Sequence, residues 1–177
     1  MKKVLAIFIL IISFFIIYFL QSNIFTWFTI AGVMPNLIVI FILFVGLFTG
    51  KKLGLILGII LGFYIDIIIG RQIGISGIML GLIGLAGEYL DKNFSKESRL
   101  TIVIMIISAT LVFEVGCYIF NTMTLNMSIE IFSFVKTLLI EILYNIIITI
   151  IIYPIMQRLG HILEETFKTR TILTRYF

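Results

Sequence analysis

The sequence predicts an all-α integral membrane protein, a bundle of six transmembrane helices with both termini on the cytoplasmic side. Three observations predict it. Of 177 residues, 61% are apolar and only 12% are charged, with a mean hydropathy of +1.23, whereas a soluble chain carries about a quarter charged residues. The charges also clump, leaving long apolar runs such as Val4 to Leu20, and about 20 helical residues cross the roughly 30 Å hydrocarbon core. Finally, these runs are apolar on every side instead of alternating, which excludes a transmembrane barrel. The whole chain, 1–177, reads as a single transmembrane domain.

The spans fall at about 4–20, 35–49, 53–70, 73–90, 100–120 and 135–157. The first follows Met1-Lys2-Lys3 like a signal peptide, yet no small-x-small cleavage site comes after it, and Gln21-Ser22-Asn23 is not one. It is therefore expected to stay as a helix. With the N-terminus inside, the inner segments hold Lys2, Lys3, Lys51, Lys52, Lys92, Lys96, Arg99, Arg158, Lys168, Arg170 and Arg175, eleven of the 13 basic residues. Only Arg71 and Lys136 fall outside, a bias that fixes the expected orientation. The net charge of +4 comes from residues standing singly or in pairs beside apolar runs. No continuous basic face results, so topology explains the charge better than nucleic acid does.

Between the first two spans, the uncharged segment SNIFTWFTIAGVM carries Trp27 beside Phe25 and Phe28, a composition suited to the outer interface. The third span places Gly54, Gly58, Gly62, Asp66 and Gly70 at every fourth position. The fourth carries Gly74, Gly77, Gly81 and Gly84, then Glu88, in a three-four alternation that keeps one stripe. Small residues at this interval let backbones approach closely in lipid, so spans three and four are expected to form a tight hairpin. Internal packing is the first reading of these stripes, and a partner interface is the second. Beyond the sixth span, Leu159, Ile162, Leu163 and Phe167 recur at helical spacing after Tyr153-Pro154. Such a tail fits either the inner membrane surface or a solvated helix end.

Acidic groups within spans are costly and face the interior or a partner. Glu88 has Lys92 one turn on, an ordinary i,i+4 pair. Asp66, Glu114 and Glu141 all fall in the expected outer half, with Asn145 one turn beyond Glu141 and with Arg71 and Lys136 as the cations on that side. A polar cluster of Asp66, Arg71, Glu114, Lys136, Glu141 and Asn145 is expected between spans three, five and six. It serves either as a structural ion-pair network or as the floor of a site opening outward.

Enzymatic chemistry finds no arrangement to support it. The sole histidine, His161, lies in the tail, leaving no His-Ser or His-Cys set and no metal-ligand spacing. Asp66 and Asp91 are expected at opposite depths, so they make no intramembrane aspartyl pair. The glycines lie inside apolar helices with no following Lys-Ser/Thr, so they cradle no phosphate. Cys117 reads as a small buried hydrophobe. No cofactor and no metal are expected.

Three segments carry a family resemblance: Met34-Pro35-Asn36-Leu37 opening span two, the run GIILGFYIDIIIGRQIG at 58–74, and YPIMQRL at 153–159 closing span six. Together they resemble the MreD family of bacterial rod shape-determining membrane proteins, over nearly the whole chain. Gly58, Gly62, Asp66, Gly70 and Gly74 are the most specific part. The resemblance implies a non-enzymatic scaffold of the cell-elongation complex in the bacterial cytoplasmic (inner) membrane, helping to organise peptidoglycan synthesis with MreC and other rod-complex membrane proteins. MreD-like proteins are also similar in fold to the S components of energy-coupling-factor vitamin transporters, which supplies the rival function. S components dock their transport subunit through an A-x-x-x-A pattern on the first helix, and here only Ala6 and Ser13 are small.

Overall fold

In hydrocarbon no water is at hand to satisfy backbone N–H and C=O groups, so each apolar run must close its own hydrogen bonds, and a helix does this. The computed structural model describes residues 2–69, 72–93, 98–125 and 130–167. Among these are six α-helices: α1 Lys2–Phe19, α2 Leu37–Thr49, α3 Lys51–Ile69, α4 Ile75–Asn93, α5 Arg99–Leu125 and α6 Ile131–Phe167. A short π-helical turn, Leu20–Ile24, extends α1, and no strand is found among the described residues.

Four helical stretches are long and apolar enough to cross a membrane: Lys3–Ile24, Lys52–Ile69, Arg99–Thr124 and Ile131–Phe167. The other two helices do not combine that length with that apolarity. With 13 residues, α2 reaches about 20 Å at 1.5 Å per residue, well under the roughly 30 Å core. All of its residues are buried, so it is an internal post around which the others stand. In α4, Glu88, Asp91 and Lys92 occupy the last turns and shorten the apolar part. At the other extreme, α6 runs 37 residues through Pro154 without a break. The amphipathic tail is thus the continuation of the sixth helix.

Local chemistry sets the helix ends. The Asn36 side chain accepts from the backbone N–H of Val39 at 3.3 Å and caps α2, as asparagine does where the first N–H groups lack partners. A single residue, Gly50, joins α2 to α3 with φ +93, in the left-handed region that only glycine enters cheaply.

Helices α3 and α4 form the most extensive helix pair, followed by α2 with α4. The glycines explain why. A methyl added to Gly54 would stand 2.5 Å from the Gly84 carbonyl oxygen and 2.8 Å from the Gly46 Cα. One added to Gly58 would meet the Leu80 carbonyl carbon at 2.7 Å, and one on Gly62 the Gly77 Cα at 2.5 Å. These are backbone atoms and cannot swing aside. Gly46, Gly54, Gly84 and Gly87 therefore mark a point where α2, α3 and α4 touch backbone to backbone, the close packing that association in lipid depends on. Around it, Phe14, Phe44, Phe48, Ile42 and Leu80 fill the buried core. Large apolar side chains such as Phe8, Leu143 and Ile151 remain exposed on the outer faces of α1 and α6, and α1 is the least buried of the four long stretches.

Candidate functional site

The polar residues gather at the end of the bundle that holds the loop between α1 and α2. That loop turns back through Ala31 and Gly32, both at positive φ (51 and 79), while Ile30 and Val33 exchange backbone hydrogen bonds of 3.0 and 2.9 Å. Two central residues of this kind make a tight mirror-image turn. The loop is fastened to α6. The Tyr144 hydroxyl donates to the Phe28 carbonyl at 2.5 Å, and the Asn36 N–H donates to Asn145 Oδ1 at 2.7 Å.

Asn145 is fully buried and also donates through Nδ2 to Thr110 Oγ1 at 3.0 Å. One amide thus joins the start of α2, the middle of α5 and α6. Buried polar groups of this kind are stable only when partnered, and here each amide atom has a partner. Glu141, one turn earlier on α6, stands beside Glu114 of α5, with Asn36 and Asn145 flanking it.

Asp66 has a different post. Its Oδ2 accepts from the backbone N–H of Gly74 at 2.8 Å and of Ser76 at 3.1 Å, and the residue is 1% exposed. These donors open α4, where the first N–H groups have no partner within the helix and a carboxylate meets the positive end of the helix dipole. The grouping expected from sequence is thus two arrangements: Asp66 at the start of α4, and Glu114, Glu141 and Asn145 with Asn36 and Thr110. The cause is the α3–α4 hairpin itself, which brings the last turns of α3 against the first turn of α4. Gly70 and Arg71 lie outside the described residues, and Lys136 is exposed on α6. At the opposite end of the hairpin, Glu88 Oε2 lies 3.4 Å from where a methyl on Gly50 would stand, beside the α2–α3 joint. The Lys92 side chain, its expected partner, is outside the described residues.

Beside Glu114 and Glu141 lies a cavity of about 440 Å³. Every helix contributes to it: Tyr18, Ile38, Ile65, Ser76 and Leu80, Phe113 and Glu114, Thr137 and Glu141. Gln21 and the 31–36 segment complete the wall. Two oxygen atoms in this wall, Glu141 Oε1 and Gln21 Oε1, are buried and have no hydrogen-bond partner.

Position along the spans points to Glu114, Glu141 and Asn145 but not to Asn36, Ser76, Thr110 or Tyr144. Asn36 carried a usable signal, a cap residue immediately before an apolar run. Ser76, Thr110 and Tyr144 gave none, since a lone hydroxyl inside an apolar helix looks the same whether or not a distant residue reaches it. Among the described residues, no grouping of His, Cys, Asp and Glu could hold a metal ion. His161 meets the Phe48 ring edge-on, with ring centroids 6.2 Å apart, and Cys117 is buried.

Comparison with known proteins bears on what this architecture is for. The family model described as rod shape-determining protein MreD matches residues 1–162. No curated protein and no solved structure matches the chain.

Proposed function

Because this chain belongs to the MreD family of rod shape-determining proteins, we propose that it is a non-enzymatic scaffold of the cell-elongation complex, seated in the bacterial cytoplasmic membrane and acting with MreC to organise peptidoglycan synthesis. The observation that carries the reading is the family match over residues 1–162, which takes in all six helices but the last residues of α6. Association is the chemistry such a molecule needs. The exposed apolar faces of α1 and α6 give partner helices a surface, while the glycine contacts of α2, α3 and α4 hold the interior fixed. In this reading the chain crosses the membrane six times with both termini inside, the short α2 lying within the bundle and reaching the surfaces through its capped ends. The polar cavity then faces outward.

The test is isolation of a tagged chain from its own cells in mild detergent. MreC is expected to come with it in a defined ratio, and to be lost when the α1 face is made polar by Phe8→Gln with Ile12→Gln at unchanged protein level. Isolation of the chain without MreC from cells that contain both contradicts the scaffold reading.

A further inference from the structure

At the end of the bundle away from the α1–α2 loop, another cavity of about 460 Å³ opens between α1, α2 and α6. Its floor is α2, through the buried Phe41, Phe44, Val45 and Phe48. On α6, Gly160 sits so close to Phe48 that an added methyl would meet the ring at 2.5 Å. On α1, Ala6 and Ser13 are the two small residues and stand two turns apart on the side that lines the cavity. Thus α6 settles onto α2, and the missing side-chain volume on α1 leaves a gap between α1 and α6. Ile9, Ile16, Ile155, Leu159 and Ile162 are exposed along its rim, so it is a groove open sideways to hydrocarbon. Ser13 is the one polar side chain among its described lining residues.

Two exposed cations flank this apolar groove. Lys3 precedes Ala6 by three residues on the lining side of α1, and Arg158 stands beside Ile155 and Ile162 on the rim of α6. Glu164 and Glu165 come after the last lining residue, Leu163. We propose that the groove holds an acyl chain of an anionic phospholipid, with Arg158 and Lys3 receiving its phosphate. Shape chooses the chain over a helix. From Ala6 to Ile17 the groove runs about 17 Å at 1.5 Å per residue, so its volume gives a mean section of about 28 Å², against at least about 80 Å² for a helix with its side chains. Charge chooses the lipid. Bulk tails are as apolar as the lining, so burial alone selects nothing; filling the groove recovers dispersion contacts that a void forfeits, while basic side chains reaching to the interface select an anionic headgroup. In the proposed orientation this lipid belongs to the inner leaflet. The site stands apart from the scaffold reading, since Phe8 and Ile12 do not line it, and either can fail without the other.

Purified protein, stripped of lipid in a nonionic detergent, is titrated with dioleoylphosphatidylglycerol, with dioleoylphosphatidylcholine, dioleoylglycerol and glycerol phosphate as controls, and read by native mass spectrometry and the shift of the unfolding temperature. A single saturable phosphatidylglycerol adduct is expected, tenfold or more tighter than that of phosphatidylcholine, and neither the chains nor the headgroup alone should reproduce it. Lys3→Gln with Arg158→Gln should bring the two phospholipids within about twofold of each other, whereas Lys136→Gln on the first turns of α6 should leave the preference unchanged. Ser13→Phe, which fills the groove, should abolish the adduct; if that variant does not fold, Ile162→Trp, which covers the groove from an exposed rim position, should do so instead. A benzophenone side chain placed at Ile9 should crosslink to phospholipid in the membranes of the cell. Equal binding of the two phospholipids by the wild type overturns the proposal, as does a preference that survives loss of both cations, an adduct that survives filling of the groove, or crosslinking at Ile9 to a second copy or another protein in place of lipid.

Discussion

A carboxylate interrupting a glycine stripe inside lipid asks for a reason, and Asp66 has one: it supplies the acceptor that the first N–H groups of α4 lack. In water such groups would be solvated; in hydrocarbon each unsatisfied one costs several kcal/mol. Asp66→Leu removes the acceptor from two of them and is expected to destabilise by about 1–3 kcal/mol per orphaned group. Asp66→Asn keeps an oxygen in place and should give up mainly the charge–dipole part, about 0.3–1 kcal/mol at exposed sites and up to about 2 when partly buried. Thermal unfolding of the detergent-solubilised variants checks this, with Asn between wild type and Leu. If Leu is as stable as wild type, the cap contributes nothing. The sequence makes Asp66 conspicuous within the glycine stripe, because spacing along one helix is local information. Its partners, being backbone atoms of the next helix, leave no mark on residue type, so side-chain cations were expected in their place. The same holds for Asn145, whose partners Asn36 and Thr110 lie 109 and 35 residues away.

Between elements, the glycine contacts decide the geometry. Gly58 and Gly62 face the backbone of α4 directly, so a leucine at either site has no rotamer that avoids a carbonyl or a Cα. Overpacking costs about 1–3 kcal/mol where side chains can adjust, and here they are not the obstacle. Gly58→Leu and Gly62→Leu are expected to lower the amount of folded protein in membranes several-fold, while Gly81→Ala, where the smaller added methyl meets side-chain atoms of Ile59 and Leu55 and no backbone, should cost less. Equal accumulation of all three would mean that α3 and α4 do not touch in this register. The third and fourth helices were readable because small residues every three or four positions have one physical use in a bundle. Gly46 and Gly87 were harder to assign: each belongs to a three-helix junction that no single-helix pattern reveals. The complete burial of α2 leaves no mark for a related reason, since a run apolar on every side looks the same whether lipid or protein surrounds it.

At the scale of the whole molecule, the distribution of basic residues implies an orientation that the helices alone do not carry. Reporter fusions after Lys52, Asn93 and in the tail are expected to read cytoplasmic, and those within 22–34 and 121–134 external. A cytoplasmic reading for 121–134 removes the six-span arrangement and places the polar cavity on the other side. The proposed scaffold role makes a demand of its own: a chain of the rod shape-determining family that works by association is expected to be needed for a cell to stay cylindrical, whatever the chemistry of its cavity. The most direct measurement is therefore cell geometry during depletion in the rod-shaped cell that makes this protein, followed by re-expression of the wild type or of Gly62→Leu. The account predicts widening, rounding and lysis on depletion, recovery with wild type, and poor recovery with Gly62→Leu. Cells that keep their width and length without the protein, and lose vitamin uptake instead, would contradict it.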